Sequence, residues 1–228
     1  MLLSGAAPVV AEELDQLQRL NQAEFRLLSE DLGGVVSSKS FVPSAPMGIT
    51  GFELAVNVTG TSLQNRDLFD RSSSSTIPSA FPMINVRAMK GLPWDIDVGA
   101  SYSYIPGTDI KVYGEVRYAL VSGGILTPSV SLRGSYSRLE GVDQLEFDSK
   151  GLDISVSKKI FVVTPYGGAG YVWLSSEPQN VPGLRGETFG VPKVFAGVRA
   201  NLGVAGFTFE VDRTGEAVTY GPRFGAGW

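Results

Sequence analysis

The chain contains 228 residues with a formal net charge of −4 at pH 7, and it has neither cysteine nor histidine. The missing residue types exclude Ser-His-Asp catalysis, acid–base chemistry by histidine, and Cys/His metal sites. The mild negative charge and the lack of a basic cluster argue against a nucleic-acid partner. We therefore expect a protein that is not an enzyme and that holds no metal or other cofactor.

Residues 1–11, MLLSGAAPVVA, form a short apolar run that ends in small residues. This pattern is typical of the hydrophobic part and cleavage site of a secretory signal, although the basic start of such a signal is missing. We predict a partial signal peptide over residues 1–11, with an ordinary apolar N-terminus as the alternative.

The next segment predicts one helix and then an extended linker. Residues 12–32 carry an apolar stripe at helical spacing, and Gly33-Gly34 is a helix stop signal. Residues 35–47 are rich in serine and proline, as linkers are. We expect residues 12–47 to form a periplasmic or lumenal plug, while a periplasmic cap, a coiled-coil contact and a chaperone-binding tail remain open. The stripe comprises Leu14, Leu17, Phe25, Leu28 and Leu32.

Apolar and polar residues alternate from residue 48 to residue 228, as in β-strands with two different faces. The alternation is clearest over residues 110–138. The predicted strand order places both long connections, 65–80 and 175–190, at the same end of the strands. These features predict an all-β fold: a single antiparallel up-and-down transmembrane β-barrel of about ten strands, with its apolar parity outward. A change of parity between Phe147 and Leu152 predicts either a bulge in the sixth strand or a first half of that strand that belongs to a loop. A soluble lipocalin-like barrel with the apolar parity inward is a minor alternative.

These strands and the last segment, AVTYGPRFGAGW, resemble the small outer-membrane β-barrel proteins of Gram-negative bacteria, the broad OmpA/OmpW-like group. Tyr220, Phe224 and Trp228 share one parity and resemble the C-terminal assembly signal of such barrels. Pro222 and a terminal Trp in place of Phe depart from that pattern. The resemblance implies that the protein lies in the cell outer membrane and contacts its lipid and the barrel-assembly machinery. It also allows a periplasmic protein partner.

The inward parity carries nearly balanced acidic and basic residues, which we expect to pair across a narrow lumen because an unpaired buried charge is costly. The leading hypothesis is a barrel that passes or binds small solutes, with a plug formed by residues 12–47. The alternative is a structural or interaction protein that docks a partner through its helix or outer loops. The lumen and pathway candidates are Arg87, Asp97, Glu115, Arg117, Arg133, Lys193, Arg199 and Glu210; Glu53, Lys111, Asp153, Asp212 and Arg223 share their parity.

Overall fold

In the computed structural model, which describes residues 14–72, 80–105 and 108–227, ten antiparallel strands close into one barrel. Each strand pairs with its neighbours in sequence, and β1 pairs with β10 to close the sheet. The predicted fold is confirmed. The strands are β1 Phe52–Ser62, β2 Ala80–Gly91, β3 Ile96–Ile105, β4 Thr108–Val121, β5 Ser129–Glu140, β6 Leu145–Ser157, β7 Val163–Pro178, β8 Glu187–Leu202, β9 Ala205–Thr214 and β10 Ala217–Gly227.

The exterior of the barrel is apolar and the interior is polar. Along β2, for example, Ile84 and Val86 are about half exposed, whereas Asn85 and Arg87 are buried. The soluble alternative requires the opposite arrangement and is therefore wrong. The exterior also carries aromatic side chains toward the strand ends, as the interfacial girdles of membrane barrels do. These include Tyr102, Tyr104, Tyr118, Tyr136 and Trp173.

Strand β6 is continuous, so the bulge and the loop predicted as alternatives from its sequence are both wrong. Leu145 and Phe147 face inward, Leu152 faces outward, and the pairing of β6 with both neighbours runs without a shift of register. The apolar residues of the sequence change from one parity to the other along this strand because its first inward residues are apolar. They pack against the N-terminal helix instead of facing polar groups.

Pro222 interrupts the pairing that closes the barrel but does not prevent it. The pairs Asn57↔Arg223 and Gly60↔Tyr220 flank the interruption, and the register is the same on both sides. Proline has no main-chain N–H to donate to the ladder, so the gap in the pairing lies at Pro222.

The two ends of the barrel differ. One end carries the described residues 63–72, 141–144, 179–186 and 215–216, and we call it the long-loop end. The other carries residues 92–95, 122–128, 158–162 and 203–204, together with the start of β1 and the end of β10, and we call it the short-turn end. The first long loop contains helix α2, Arg66–Ser72, which the sequence had predicted only as a polar loop.

The N-terminal helix α1 spans Gln22–Val36, after a short 3-10 helix at Leu17–Arg19. It begins later than predicted because Asn21 and Glu24 form a capping box, which fixes the start of a helix. It also continues through Gly33 and Gly34, so the predicted stop is wrong. A Cβ at either glycine would lie within 2.3 Å of Leu174 or Ala217, so the glycines allow the helix to pack closely against the wall. None of the helices described is long and apolar enough to cross a membrane.

Candidate functional site

Helix α1 lies inside the mouth of the barrel at the long-loop end. Ser29 Oγ is 2.8 Å from Ser176 Oγ on β7, and the Asp31 carboxylate accepts a hydrogen bond from the Asn65 main chain at 2.7 Å. Burial raises the pKa of Asp31, and the hydrogen bonds from the residue 64–65 main chain and the Asn65 side chain partly offset this. Apolar side chains of the helix and of the barrel wall form one buried cluster around these contacts. It includes all five residues of the predicted plug stripe, Leu14, Leu17, Phe25, Leu28 and Leu32, with Phe81, Met83, Leu139, Leu145, Phe147, Val172 and Leu174 of the wall.

Beyond the helix, residues 37–47 run down the lumen to the short-turn end, and we call them the threaded segment. Ser37 through Ser44 are all buried. Lys39 Nζ is 2.8 Å from Asp212 Oδ1 on β9, and the Met47 main-chain N–H donates to Asp97 Oδ1 at 3.1 Å on β3. The chain therefore fills the part of the lumen below the helix.

The wall around the threaded segment contains one group of charges on β2 to β6. Glu115 accepts from Arg87 and, at 3.2 Å, from Arg133. Arg133 also pairs with Asp153, its partner on β6. Arg133 and Asp153 are direct partners in the register of β5 and β6, whereas Glu115 lies diagonally from Arg133 and meets Arg87 across β3. Arg117 and Asp97 form a neighbouring pair at 2.6 Å.

A second group lies across the lumen on β1 and β8 to β10. Glu53 accepts from Arg199 at 2.7 Å and from Arg223 at 2.8 Å. Asp212 bridges Lys39 of the threaded segment and Lys193 of the wall. The described wall contributes six acidic and six basic residues to the two groups, so its charges balance, and Lys39 adds one positive charge. The wall residues are Glu53, Arg87, Asp97, Glu115, Arg117, Arg133, Asp153, Lys193, Arg199, Glu210, Asp212 and Arg223.

Most of these side chains also bind the main chain of the threaded segment. Arg87 Nη1 donates to the Ser40 carbonyl at 2.7 Å, and Arg223 Nη1 donates to the Phe41 carbonyl at 2.8 Å. Glu210 accepts from the N–H groups of Ser40 at 3.1 Å and Phe41 at 2.6 Å. Charged groups thus satisfy main-chain atoms that would otherwise be buried without partners.

A cavity of about 460 Å³ opens at the short-turn end, and we call it the vestibule. Val42, Pro43 and Arg117 line it toward the threaded segment, and Arg199 and Asn201 line its side. The vestibule extends to the lower end of the threaded segment. Among the described residues, no group of acidic side chains has the arrangement of a metal site.

The structure brings all eight predicted lumen candidates to the lumen wall. Lys39 was not among the predicted site residues, although a lone lysine within a serine- and proline-rich linker could have suggested a buried partner. In the predicted assembly signal, Tyr220 and Phe224 face outward, while Trp228 lies outside the described residues. The predicted signal peptide, residues 1–11, also lies outside them.

Comparison with known proteins finds likeness in structure alone. No protein-family model matches the chain, and no curated protein is similar in sequence. The N-terminal β-barrel domain of Pseudomonas aeruginosa OprF matches with a TM-score of 0.41 and 13% identity, over 79% of this chain and 99% of that one. Ail of Yersinia pestis matches at 0.35 and 10%, over 78% and 97%. Neisserial surface protein A matches at 0.33 and 10%, over 77% and 95%.

The membrane assignment rests on the surface of this chain. A closed sheet leaves no unpaired edge, and an apolar exterior with buried charges inside is stable only where lipid surrounds it. The longer loops at one end and short turns at the other are typical of barrels in the bacterial outer membrane. The protein is a small ten-stranded outer-membrane β-barrel.

Proposed function

We propose that the protein is a non-enzymatic barrel that passes or binds small solutes through a narrow charged lumen, which its own N-terminal segment closes. The observation that carries this proposal is the threaded segment, which occupies the lumen and is bonded to the wall on several sides. A solute can cross only when this segment moves. The vestibule supports the same function because it leads from the short-turn end to Pro43 in that segment.

A disulfide between helix and wall tests the proposal on the full chain. Ser29 Oγ and Ser176 Oγ are 2.8 Å apart, and the chain has no cysteine, so Ser29→Cys/Ser176→Cys creates a single reversible link. In planar lipid bilayers we expect low conductance when this variant is oxidised and more frequent openings after reduction. The matched control is Thr61→Cys/Thr219→Cys, which joins two wall positions 2.9 Å apart on β1 and β10 and leaves the plug free. Equal conductance of the first variant in both redox states would contradict a moving plug.

Partner docking is the second candidate. Helix α1 lies beside α2 at the long-loop end, and Arg71 of α2 bonds to Glu24 of α1 at 2.8 Å. The helix leaves Leu27, a large apolar side chain, 44% exposed at this end. Deletion of residues 12–47 separates the two functions. A plug's removal raises conductance, whereas removal of a docking surface leaves conductance unchanged and abolishes capture of the partner.

A further inference from the structure

The side chains of the barrel wall bind the threaded segment mainly through the main chain of that segment. Arg117 Nη1 donates to the Pro43 carbonyl at 2.5 Å, and Ser157 Oγ accepts from the Ser44 N–H at 2.9 Å. Including the contacts described above, side chains of the wall bond to main-chain atoms along the whole segment. The carbonyls that accept belong to Ser38, Lys39, Ser40, Phe41, Pro43 and Ala45, and the N–H groups that donate belong to Ser40, Phe41, Ser44 and Met47.

Few side chains of the segment are recognised individually. Lys39 pairs with Asp212, and the Phe41 side chain is almost fully buried. Phe41 also has a φ of 51°, a conformation that costs a bulky residue energy and that persists only where surrounding contacts hold it. Its N–H and carbonyl are both bonded to the wall, which provides that support. Two serine hydroxyls of the segment also contact the wall: Ser38 Oγ accepts from Arg133 Nη1 at 3.1 Å, and Ser44 Oγ is 2.8 Å from Ser155 Oγ. Lys39 and Phe41 are therefore the main anchors, while most of the other contacts involve groups that every peptide has.

We propose that the lumen is a binding site for an extended polypeptide, recognised through its main chain together with a basic anchor at position 39 and an aromatic anchor at position 41. The proposal rests on the proposed function, since another peptide can enter only if the threaded segment leaves. It adds the class of ligand: an unfolded segment of about ten residues that need not have the native sequence.

The charges of the wall favour such a ligand over a free ion. The acidic and basic groups balance, so the wall has no excess charge to attract a small anion or cation. A peptide main chain offers alternating hydrogen-bond acceptors and donors. Arginines and carboxylates of the wall that are already paired with each other still have free positions with which to donate to and accept from these groups. The eleven residues of the threaded segment could extend about 36 Å, enough to pass through the hydrocarbon thickness of a membrane.

The test uses the complete chain with a protease recognition sequence inserted between Ile49 and Thr50, in an exposed connection. Cleavage after folding leaves the threaded segment held only by noncovalent contacts. Three fluorescent peptides covering residues 36–47 then compete for the lumen. The first has the native sequence. The second retains Lys39 and Phe41 but permutes the other side chains. The third has the native side chains with N-methyl groups on the amides of residues 40 and 41.

We expect the permuted peptide to bind within about ten-fold of the native one, because it retains the main-chain contacts. N-methylation removes two donors to Glu210, and hydrogen bonds to charged groups are strong enough that we expect at least a roughly thirty-fold loss. A permuted peptide that binds as weakly as the methylated one would overturn the proposal. Conductance of the cleaved protein is recorded in parallel. If cleavage raises conductance but no peptide binds, the plug function stands and the peptide site is refuted.

Discussion

Glu115→Gln removes one negative charge from the lumen with little change in side-chain shape. In the described chain, Glu115 is the only carboxylate in an ion pair with Arg87, and both side chains are about 1% exposed. Arg133, the other partner of Glu115, retains Asp153. The substitution therefore leaves one buried guanidinium without a negative partner. Breaking a buried pair on one side costs about 3–5 kcal/mol, and we expect the free energy of unfolding to fall by about this amount.

The double variant Arg87→Met/Glu115→Gln tests the cause of this loss. It removes both charges, so no guanidinium is left unpaired. The remaining cost is mainly the hydrogen bond from Arg87 to the Ser40 carbonyl, about 1.5–3 kcal/mol for a charged donor. We expect the double variant to be more stable than Glu115→Gln, in spite of carrying the additional substitution.

Urea unfolding in lipid vesicles, followed by tryptophan fluorescence and by electrophoretic mobility without boiling, measures both differences. Glu146→Gln is the matched control, because Glu146 pairs with Arg138 at 3.7 Å on the exposed surface. Such a pair contributes about 0–1 kcal/mol. If Glu115→Gln were no less stable than this control, or if the double variant were the least stable of the three, the reasoning from buried charge would be wrong.

Three further predictions concern the N-terminal region. Gly34→Ala places a methyl group against the wall and should lower stability by about 1–3 kcal/mol, whereas Gly134→Ala, which has open space, should change it little; urea unfolding compares them. Because burial raises the pKa of Asp31 above its ordinary value of 3.8, the folded state takes up a proton more readily than the unfolded state. The packing of α1 in the barrel mouth should therefore become more stable as the pH falls from 7 through the folded pKa, and less stable as it rises again. Asp31→Asn should reduce this dependence in hydrogen exchange of α1, and the part that remains belongs to Glu30, whose pKa burial also raises. An impermeant maleimide on intact cells should label Gln18→Cys at the long-loop end, but it should label Ile125→Cys at the short-turn end only after permeabilisation. The reverse order of labelling would show that the barrel has the opposite orientation.

Most of the barrel could be predicted from local patterns. Alternation along residues such as Val116, Arg117 and Tyr118 assigns each side chain to a face because successive residues of a strand point in opposite directions. The prediction failed at Leu145 and Phe147, where apolar residues face inward. Sequence parity cannot reveal that a helix occupies the upper lumen and makes apolar residues favourable there.

The N-terminal region shows a similar limit. The apolar stripe of the helix was predictable from its spacing, but continuation through Gly33 and Gly34 was not. Glycine favours a helix stop in isolation, whereas here the absence of a Cβ permits contact with Leu174 and Ala217. These contacts join residues far apart in the chain, so only the folded barrel determines the outcome.

The sequence by itself determined the approximate number of strands, the lipid-facing side of most strands and the balance of charge within the lumen, because these depend on local periodicity and composition. Only the tertiary structure decided which charges meet, that α1 lies at the long-loop end, and that residues 37–47 pass through the lumen. Arg87 and Glu115 meet across β3 inside the closed sheet, and Lys39 meets Asp212 because the threaded segment passes through the lumen. Because closure sets distances between residues remote in sequence, the path of the threaded segment and the identity of its charged partners could not be derived from any one segment.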